Sequence, residues 1–199
     1  MPVLLNRLLS LAGLILLLPL LIIIAAIIKL DSRGGILYKQ PRVGKNNREF
    51  YLYKFRTMRN NSDRNGLLTV GEKDSRITRA GYYLRKYKLD ELPQLLNVVK
   101  GDMRLVGPRP EVRKYVDLYT EEQKTVLNVE PGITDPASIR FRNESEILKK
   151  AENPEQFYIN YIMPRKLNLN LQYLGQRSFL KDINVIFNTF YAIIKRRTP

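Results

Sequence analysis

The chain has 199 residues, with 34 Lys and Arg against 19 Asp and Glu and a formal net charge of +15. It contains no Cys and no His, which excludes disulfides, thiol nucleophiles, imidazole bases and metals ligated by cysteine or histidine. Catalysis would rest on carboxylates, Lys, Arg, Tyr, Ser or Thr, any metal would be a hard ion held by oxygen, and the cationic excess calls for a polyanionic partner: nucleic acid, an anionic lipid surface or phosphorylated substrates.

The first element is "LLSLAGLILLLPLLIIIAAII", residues 8–28, which carries no charge. As a helix it would cover about 31 Å, the thickness of a bilayer's hydrocarbon. No small-x-small cleavage site precedes the Lys29-Leu30-Asp31 flank, so a membrane segment fits better than a cleaved signal peptide. Pro19 divides the run into two arms of about 14–17 Å, each the depth of one leaflet. Arg7 lies before the run and Lys29 and Arg33 after it, so the distribution of cations gives no reason to put the ends on opposite sides. A re-entrant helix-break-helix with its break at Pro19 and a single kinked crossing both remain open on these residues. Residues 1–33 are expected to form this membrane-inserted unit and residues 34–199 a separate catalytic domain.

Past Asp31 the chain is basic and rich in tyrosine, with 12 Tyr in all. Residues 36–40 and 49–55 read as two short strands joined by the turn-rich "GKNN", a β-hairpin. Residues 60–74 are polar, contain glycine and lack periodicity, which predicts a surface loop. A helix is expected over 77–87 and another from about Pro93 to Val99, stopped near Gly101. "MRLVG", 103–107, fits a buried strand or an extended link. Residues 111–119 and 121–127 suit helices, the second opened by the capping-box pattern "TEEQ". "EPGITDPAS" reads as loop, and a helix begins at Asn153-Pro154, is interrupted at Pro164 and resumes to Tyr173. Residues 178–197 place Phe179, Leu180, Ile183, Ile186, Phe187, Phe190, Ile193 and Ile194 at helical spacing and end in Lys195-Arg196-Arg197. Such a helix can lie in a lipid interface or cover the domain's own core. The fold class is α+β, mainly helical, with a small strand pair.

The chemistry gathers in "KLDELPQLLNVVKGDMRLVGPRPE", residues 88–111. Pro93 is acceptable only in a helix's first turn, so Asp90 and Glu91 sit at or just before an N-terminus. Unpaired amides and the helix dipole favour anions there, either these carboxylates or a phosphate beside them. N-terminal capping alone would explain one acid. Arg85, Lys86 and Lys88 precede the pair, and Arg109 stands between two prolines that limit its backbone freedom. A guanidinium so held can bind a phosphate or a nucleobase carbonyl with two parallel hydrogen bonds.

Read in order, "KLDSRGGILYKQPRVGKNN", "YLYKFRTM", "LRKYKLDELPQLLNVVKGDMRLVGPRPE", "VEPGIT" and "RFRNE" resemble the bacterial sugar transferase family, the monotopic polyprenyl-phosphate phosphoglycosyl transferases, over nearly the whole chain. The resemblance implies transfer of a sugar 1-phosphate from a UDP-sugar to a polyprenyl phosphate, with release of UMP and a requirement for Mg2+. It implies a site at the cytoplasmic face of the bacterial inner membrane, among anionic lipids. By position it makes Asp90 the nucleophile that forms a covalent phosphosugar intermediate and Glu91 the magnesium ligand. It assigns Arg109 and Pro110 to the uridine part of the donor, and Lys54, Arg56, Arg85 and Arg142 to its phosphates. It also implies re-entry of the apolar segment at Pro19.

Departures from the family pattern are local. "ASIRFRN" replaces the commoner "AQVNGRN", Lys88 stands where Ser or Thr is usual, Arg104 where Ser is usual, and Leu18-Pro19 replaces Ser-Pro. Two other readings are weighed beside this one. A membrane-tethered nucleic-acid binder would suit the charge and the tyrosines but leaves the acidic pair unexplained, and no nucleic-acid partner is expected. A magnesium-dependent nucleotide-sugar hydrolase would use the same carboxylates on water. Pairing into a homodimer is left open.

Overall fold

The computed structural model describes residues 1–59, 68–71 and 74–195; most of the expected 60–74 loop, and Arg196 and Arg197, lie outside them. The apolar run forms a single helix, α1 (Val3–Asp31), with Pro19 inside it. The break expected at Pro19 therefore does not occur. A proline removes one N–H from the ladder and crowds the carbonyl four residues back, a loss that apolar membrane-type helices tolerate. With a mean hydropathy of 3.2 over its most apolar window, α1 is apolar and long enough to be membrane-inserted.

Burial along α1 is confined to its two ends. Asn6 and Ser10 near its start and Ile24 and Ile28 near its finish are buried, whereas Ile15, Leu16, Leu18, Ile22 and Ile23 are exposed. At the start, Asn6 donates from Nδ2 to the Pro2 carbonyl (2.8 Å) and accepts at Oδ1 from the Leu105 amide (3.0 Å). At the finish, the Arg56 guanidinium donates to the carbonyls of Ile28 (3.4 Å), Ser32 (2.8 Å), Arg33 (2.7 Å) and Gly35 (2.6 Å). It thereby ties the last turn of α1 to the carbonyls of the turn that follows it. Ile24 and Ile28 pack there with Phe55 and Leu84.

The predicted hairpin is present. β1 (Leu37–Val43) and β2 (Glu49–Phe55) pair antiparallel, Leu37 opposite Phe55 and Val43 opposite Glu49, so β1 runs three residues beyond its expected end. The turn between them uses Asn46 and Asn47 at φ 54° and 60°, a conformation Asn adopts more readily than other side chains do. β2 is met on its other edge by a side chain. Asn97, fully buried, accepts from the Tyr53 amide (3.0 Å) and donates to the Tyr51 carbonyl (2.8 Å), acting as one residue of a third strand.

Asn97 belongs to α3 (Gln94–Lys100), which follows α2 (Arg79–Lys86) and begins behind Pro93 as predicted. α3 stops at Gly101, whose φ of 94° is closed to most residues. Next comes β3 (Arg104–Val106), settling the alternatives for 103–107 in favour of a strand. Its partner is β4 (Gly132–Thr134), in parallel register Arg104 with Gly132 and Val106 with Thr134. The sequence reading of this stretch as loop is corrected here. The two strands come together where Gly107 meets Gly132: a Cβ on Gly132 would lie 2.1 Å from the Gly107 nitrogen.

The expected helices over 111–119 and 121–127 shrink to α4 (Arg113–Val116) and α5 (Glu121–Lys124), the latter continued by a 3-10 turn, Thr125–Asn128. The Thr120–Gln123 capping box is present in both directions. α6 (Pro136–Arg140), α7 (Glu144–Lys149) and α8 (Pro154–Phe157) follow. A π turn, Tyr158–Ile162, precedes α9 (Met163–Gly175). The interruption expected at Pro164 is this π turn, which widens the helix just ahead of a residue that cannot donate. Val112, Tyr115, Val116, Leu148, Tyr158 and Ile162 form the main core here. α10 (Phe179–Ile194) turns Asp182 and Val185 inward and leaves Phe179, Leu180, Phe187, Phe190 and Ile194 exposed.

Replacing Asn97 with Ala removes the partner of two β2 backbone groups, the Tyr53 amide and the Tyr51 carbonyl. The Asn97→Ala variant is expected to lose about 2–5 kcal/mol of unfolding free energy, read by urea denaturation; a loss under about 0.5 kcal/mol would mean that the side chain does not hold the strand.

Candidate active site

The acidic pair is presented by a strained turn. Lys88 lies in the left-handed region at φ 58°, ψ 20°, and the chain then winds through a 3-10 turn, Leu89–Glu91, into Pro93 and α3. A lysine pays about 1–2 kcal/mol for that conformation, which is kept where the surroundings over-determine it. The two carboxylates leave this turn into different settings.

Asp90 is 7% exposed, and its Oδ1 is buried with no hydrogen-bond partner among the described residues. Burial raises its pKa above the ordinary carboxylate value and the neighbouring Glu91 raises it further, while Lys54, Lys88 and Arg85 act in the opposite direction. Glu91 is fully engaged: its Oε1 and Oε2 accept from Nη2 (2.7 Å) and Nη1 (3.0 Å) of Arg109, and Lys88 Nζ lies at 3.6 Å. Burial by itself would raise the Glu91 pKa, but Arg109, with Lys88 and Lys54, holds it well below the ordinary range. The pair thus consists of one firmly ionised carboxylate and one whose Oδ1 has cations nearby but no hydrogen-bond partner among the described residues.

Arg109 is held from behind. Its amide donates to Asp135 Oδ2 (2.7 Å) and its Nη1 also donates to the Ile133 carbonyl (3.2 Å). Asp135, 0% exposed, further accepts from Asn170 Nδ2 (3.1 Å) and, at Oδ1, from the Ser138 amide as the cap of α6. The β3–β4 pair and its glycine contact place the segments of Arg109 and Asp135 side by side. The Pro110 carbonyl accepts from Arg42 Nη1 (3.2 Å), and Arg42 is paired with Glu111 (2.7 Å), which also accepts from the Tyr158 hydroxyl.

Lys54, on β2, faces both acids. Burial, with Arg109 and Arg42 nearby, pushes its pKa down to about 7 despite Glu91 and Asp90. Arg85 donates from Nη2 to Thr69 Oγ1 (2.8 Å) and acts electrostatically on Asp90. Lys54, Arg85, Asp90, Glu91 and Arg109 thus act on one another at one place, with Pro110 directly after Arg109. Two predicted residues stand elsewhere. The Arg56 donors are spent on the end of α1. Arg142 donates to the carbonyls of Ala192 and Lys195 at the end of α10.

The sequence reading missed Asp135, Arg42, Glu111 and Asn97 as supports. Asp135-Pro136 carried a signal, since an acid followed by proline is a common helix start, and Asn97 stood out as polar within an apolar helix. Arg42 and Glu111, 69 positions apart, had no local mark.

Chemically, an under-bonded carboxylate oxygen beside Lys54, Arg85, Lys88 and Arg109 suits attack on a phosphorus whose other oxygens the cations would hold. Among the described residues no cluster of three or more carboxylates stands together, so a divalent ion here would take most of its ligands from substrate phosphate and water. Glu91 keeps a second lone pair on each oxygen, and Asp90 Oδ1 is free of partners, so the pair is compatible with such an ion.

Residues 2–196 match the profile of a family described as Bacterial sugar transferase. Among similar proteins is the UDP-N-acetylgalactosamine-undecaprenyl-phosphate N-acetylgalactosaminephosphotransferase of Aeromonas hydrophila, 37% identical over 88% of this chain and 39% of that protein. Another is the UDP-glucose:undecaprenyl-phosphate glucose-1-phosphate transferase of Xanthomonas campestris pv. campestris, 34% identical over 97% of this chain and 38% of that protein. The exopolysaccharide production protein PSS of Rhizobium leguminosarum bv. phaseoli is 37% identical over 94% of this chain and 92% of its own. The chain thus spans about two fifths of the length of the first two.

The Lys54 pKa makes a prediction about stability. An unfolded lysine keeps its proton to about 10.5 and the folded one only to about 7. Between these values the unfolded chain binds more protons, so Lys54 makes stability rise with pH across that window. In Lys54→Met this contribution is gone. The stability of the variant relative to wild type, from urea unfolding, is expected to be greater near about pH 6.5 than near about pH 9.5; a difference that does not vary with pH would place Lys54 in ordinary solvent.

Proposed function

Because the chain belongs to the bacterial sugar transferase family, we propose that it transfers a sugar 1-phosphate from a UDP-sugar to a polyprenyl phosphate and releases UMP, the first membrane step in building a glycan. The observation that carries this reading is the buried, unpartnered Oδ1 of Asp90 within reach of a cationic cluster. The names of the Aeromonas and Xanthomonas relatives specify undecaprenyl phosphate as acceptor and UDP-linked sugars as donors.

In the proposed reaction, Asp90 Oδ1 attacks the β-phosphorus of the donor. The bond from that phosphorus to the oxygen bridging the α-phosphate breaks, and UMP leaves with the bonding electrons. The sugar phosphate is then carried on Asp90 as an acyl phosphate. An oxygen of the polyprenyl phosphate attacks the same phosphorus, restoring the Asp90 carboxylate and forming the lipid diphosphate sugar. Lys54, Arg85 and Lys88 bind the phosphate oxygens in both halves. Arg109 holds Glu91 in place with its fork and, with Pro110, borders the nucleoside end. The acidic pair would hold Mg2+ through Glu91, and the ion would offset the charge of the donor diphosphate. Arg56 and Arg142 act on the fold.

The membrane reading extends this. Both ends of α1 are fastened to the same folded unit, by Asn6 to β3 and by Arg56, just after β2, to the turn that follows α1, while the side of its middle turned away from α3 is exposed. A helix crossing the bilayer would pull one fastening away. The proposed topology is monotopic: α1, unbroken at Pro19, enters the membrane from one side without crossing it, with both ends on the cytoplasmic face of the inner membrane and the exposed apolar side of α10 against anionic lipid. The site then lies at headgroup level, where the acceptor's phosphate is. A second copy of the chain is not required.

Detergent-solubilised protein given UDP-glucose or UDP-N-acetylgalactosamine, with and without undecaprenyl phosphate, is expected to make a lipid-linked sugar only with the acceptor. Free sugar phosphate formed without it would instead indicate a hydrolase. Asp90→Asn is expected to lower transfer by at least about 10³-fold; a loss below about tenfold would leave Asp90 a capping residue.

Topology is tested separately. The chain has no native cysteine, so single cysteines at positions 4 and 34 are specific probes. Both are expected to react with an impermeant maleimide from the cytoplasmic side of inverted vesicles; reaction from opposite sides would establish a crossing.

A further inference from the structure

Between the middle of α1 and the catalytic unit lies a cavity of about 320 Å³ whose lining side chains are all apolar. Leu21 and Ala25 of α1 form one wall, and Phe55 and Pro93 form the inner surface, both buried. Leu37 and Leu96 stand at the rim, 41% and 39% exposed. The volume falls within the range of small-molecule sites, about 300–1,000 Å³, and no polar group is there to hold water.

Its position gives the cavity its meaning. Pro93 lines it, and Pro93 lies three residues after Asp90 and two after Glu91, so the apolar surface begins beside the turn that carries the acids and their cations. A ligand that fits both parts has hydrocarbon starting directly at a phosphate oxygen. In a glycerophospholipid, a glycerol with two esters separates phosphate from hydrocarbon, and those polar groups would meet only Pro93, Phe55 and Leu96. A UDP-sugar has no hydrocarbon at all.

We infer that this cavity seats the phosphate-proximal isoprene units of the polyprenyl phosphate acceptor, with its phosphate at the Lys54, Arg85 and Lys88 cluster. The inference rests on the proposed reaction and gives α1 a second task beyond anchoring: it forms one wall of the acceptor site. The hydrocarbon chain leaves between Leu37 and Leu96 toward the lipid around α1.

The test uses the full chain in nanodiscs with two photoreactive probes, a polyprenyl phosphate with a diazirine in its first isoprene units and a phosphatidylethanolamine with a diazirine in its acyl chain. The isoprenoid probe is expected to label peptides containing residues 21–25 and 93–96, in competition with undecaprenyl phosphate. Ala25→Phe, which fills the cavity, and Leu96→Trp, which narrows its exposed rim, are each expected to reduce this labelling at least about fivefold. Labelling by the phospholipid probe is expected to stay the same. Leu96 is partly exposed, so its variant reports even if Ala25→Phe fails to fold. Isoprenoid labelling that neither undecaprenyl phosphate nor either folded variant reduces, or equal labelling of these peptides by the phospholipid, would overturn the site. Competed, cavity-dependent labelling in a protein that makes no lipid-linked sugar would uphold the site and overturn the reaction.

Discussion

The two parallel hydrogen bonds between Glu91 and Arg109 fix two parts of the chain to each other at the site. Glu91 comes from the strained turn before α3, and Arg109 from the segment after β3. A buried ion pair of this kind adds little net stability, because desolvating both charges offsets most of their attraction. Its contribution is positional. With Glu91 held by Arg109, Oδ1 of the neighbouring Asp90 is left without a hydrogen-bond partner among the described residues and is the carboxylate oxygen placed for attack. The pair is in turn kept in place by Asp135, which grips the Arg109 amide, and by the close approach of Gly107 to Gly132 that brings the two segments together.

The same structure links the site to α1. α3 carries Asn97 to the edge of β2, Pro93 to the floor of the apolar cavity and Leu95 toward Gly13 of α1. Arg56 directly follows Lys54 and Phe55, the last two residues of β2, and closes the end of α1. Three consecutive residues at the end of β2 and just past it thus serve the acidic pair, the cavity and the anchor, so a shift of α1 is transmitted directly to the phosphate-binding lysine. An enzyme that handles one soluble and one lipid anion needs these surfaces in fixed relation.

Much of this was legible in the sequence where the signal was local. The apolar run, the hairpin, the start of α3 behind Pro93, its stop at Gly101 and the Thr120–Gln123 capping box each follow from a few neighbouring residues. β4 was not legible, because a three-residue parallel strand owes its existence to a partner 28 positions earlier, with Arg104 opposite Gly132. Nor was the division of labour among the arginines. Arg56, Arg109 and Arg142 look alike in a sequence, yet one binds carbonyls of the turn after α1, one a carboxylate and one carbonyls at the end of α10, and only the fold decides what a guanidinium meets. At Pro19 the local rule favoured a break, and the continuity of a strongly apolar helix prevailed.

The chemistry depends on a covalent bond between the Asp90 carboxylate and the phosphorus of the donated sugar phosphate. The direct measurement is intact-mass and peptide mass spectrometry of protein mixed with UDP-sugar in the absence of lipid acceptor and quenched in acid. A mass increase of one sugar phosphate less one water, located on the peptide containing Asp90 and lost on adding undecaprenyl phosphate, is the expected result. Turnover to lipid-linked sugar with no such adduct at any time point would show that the donor reacts directly with the acceptor and that Asp90 has another role.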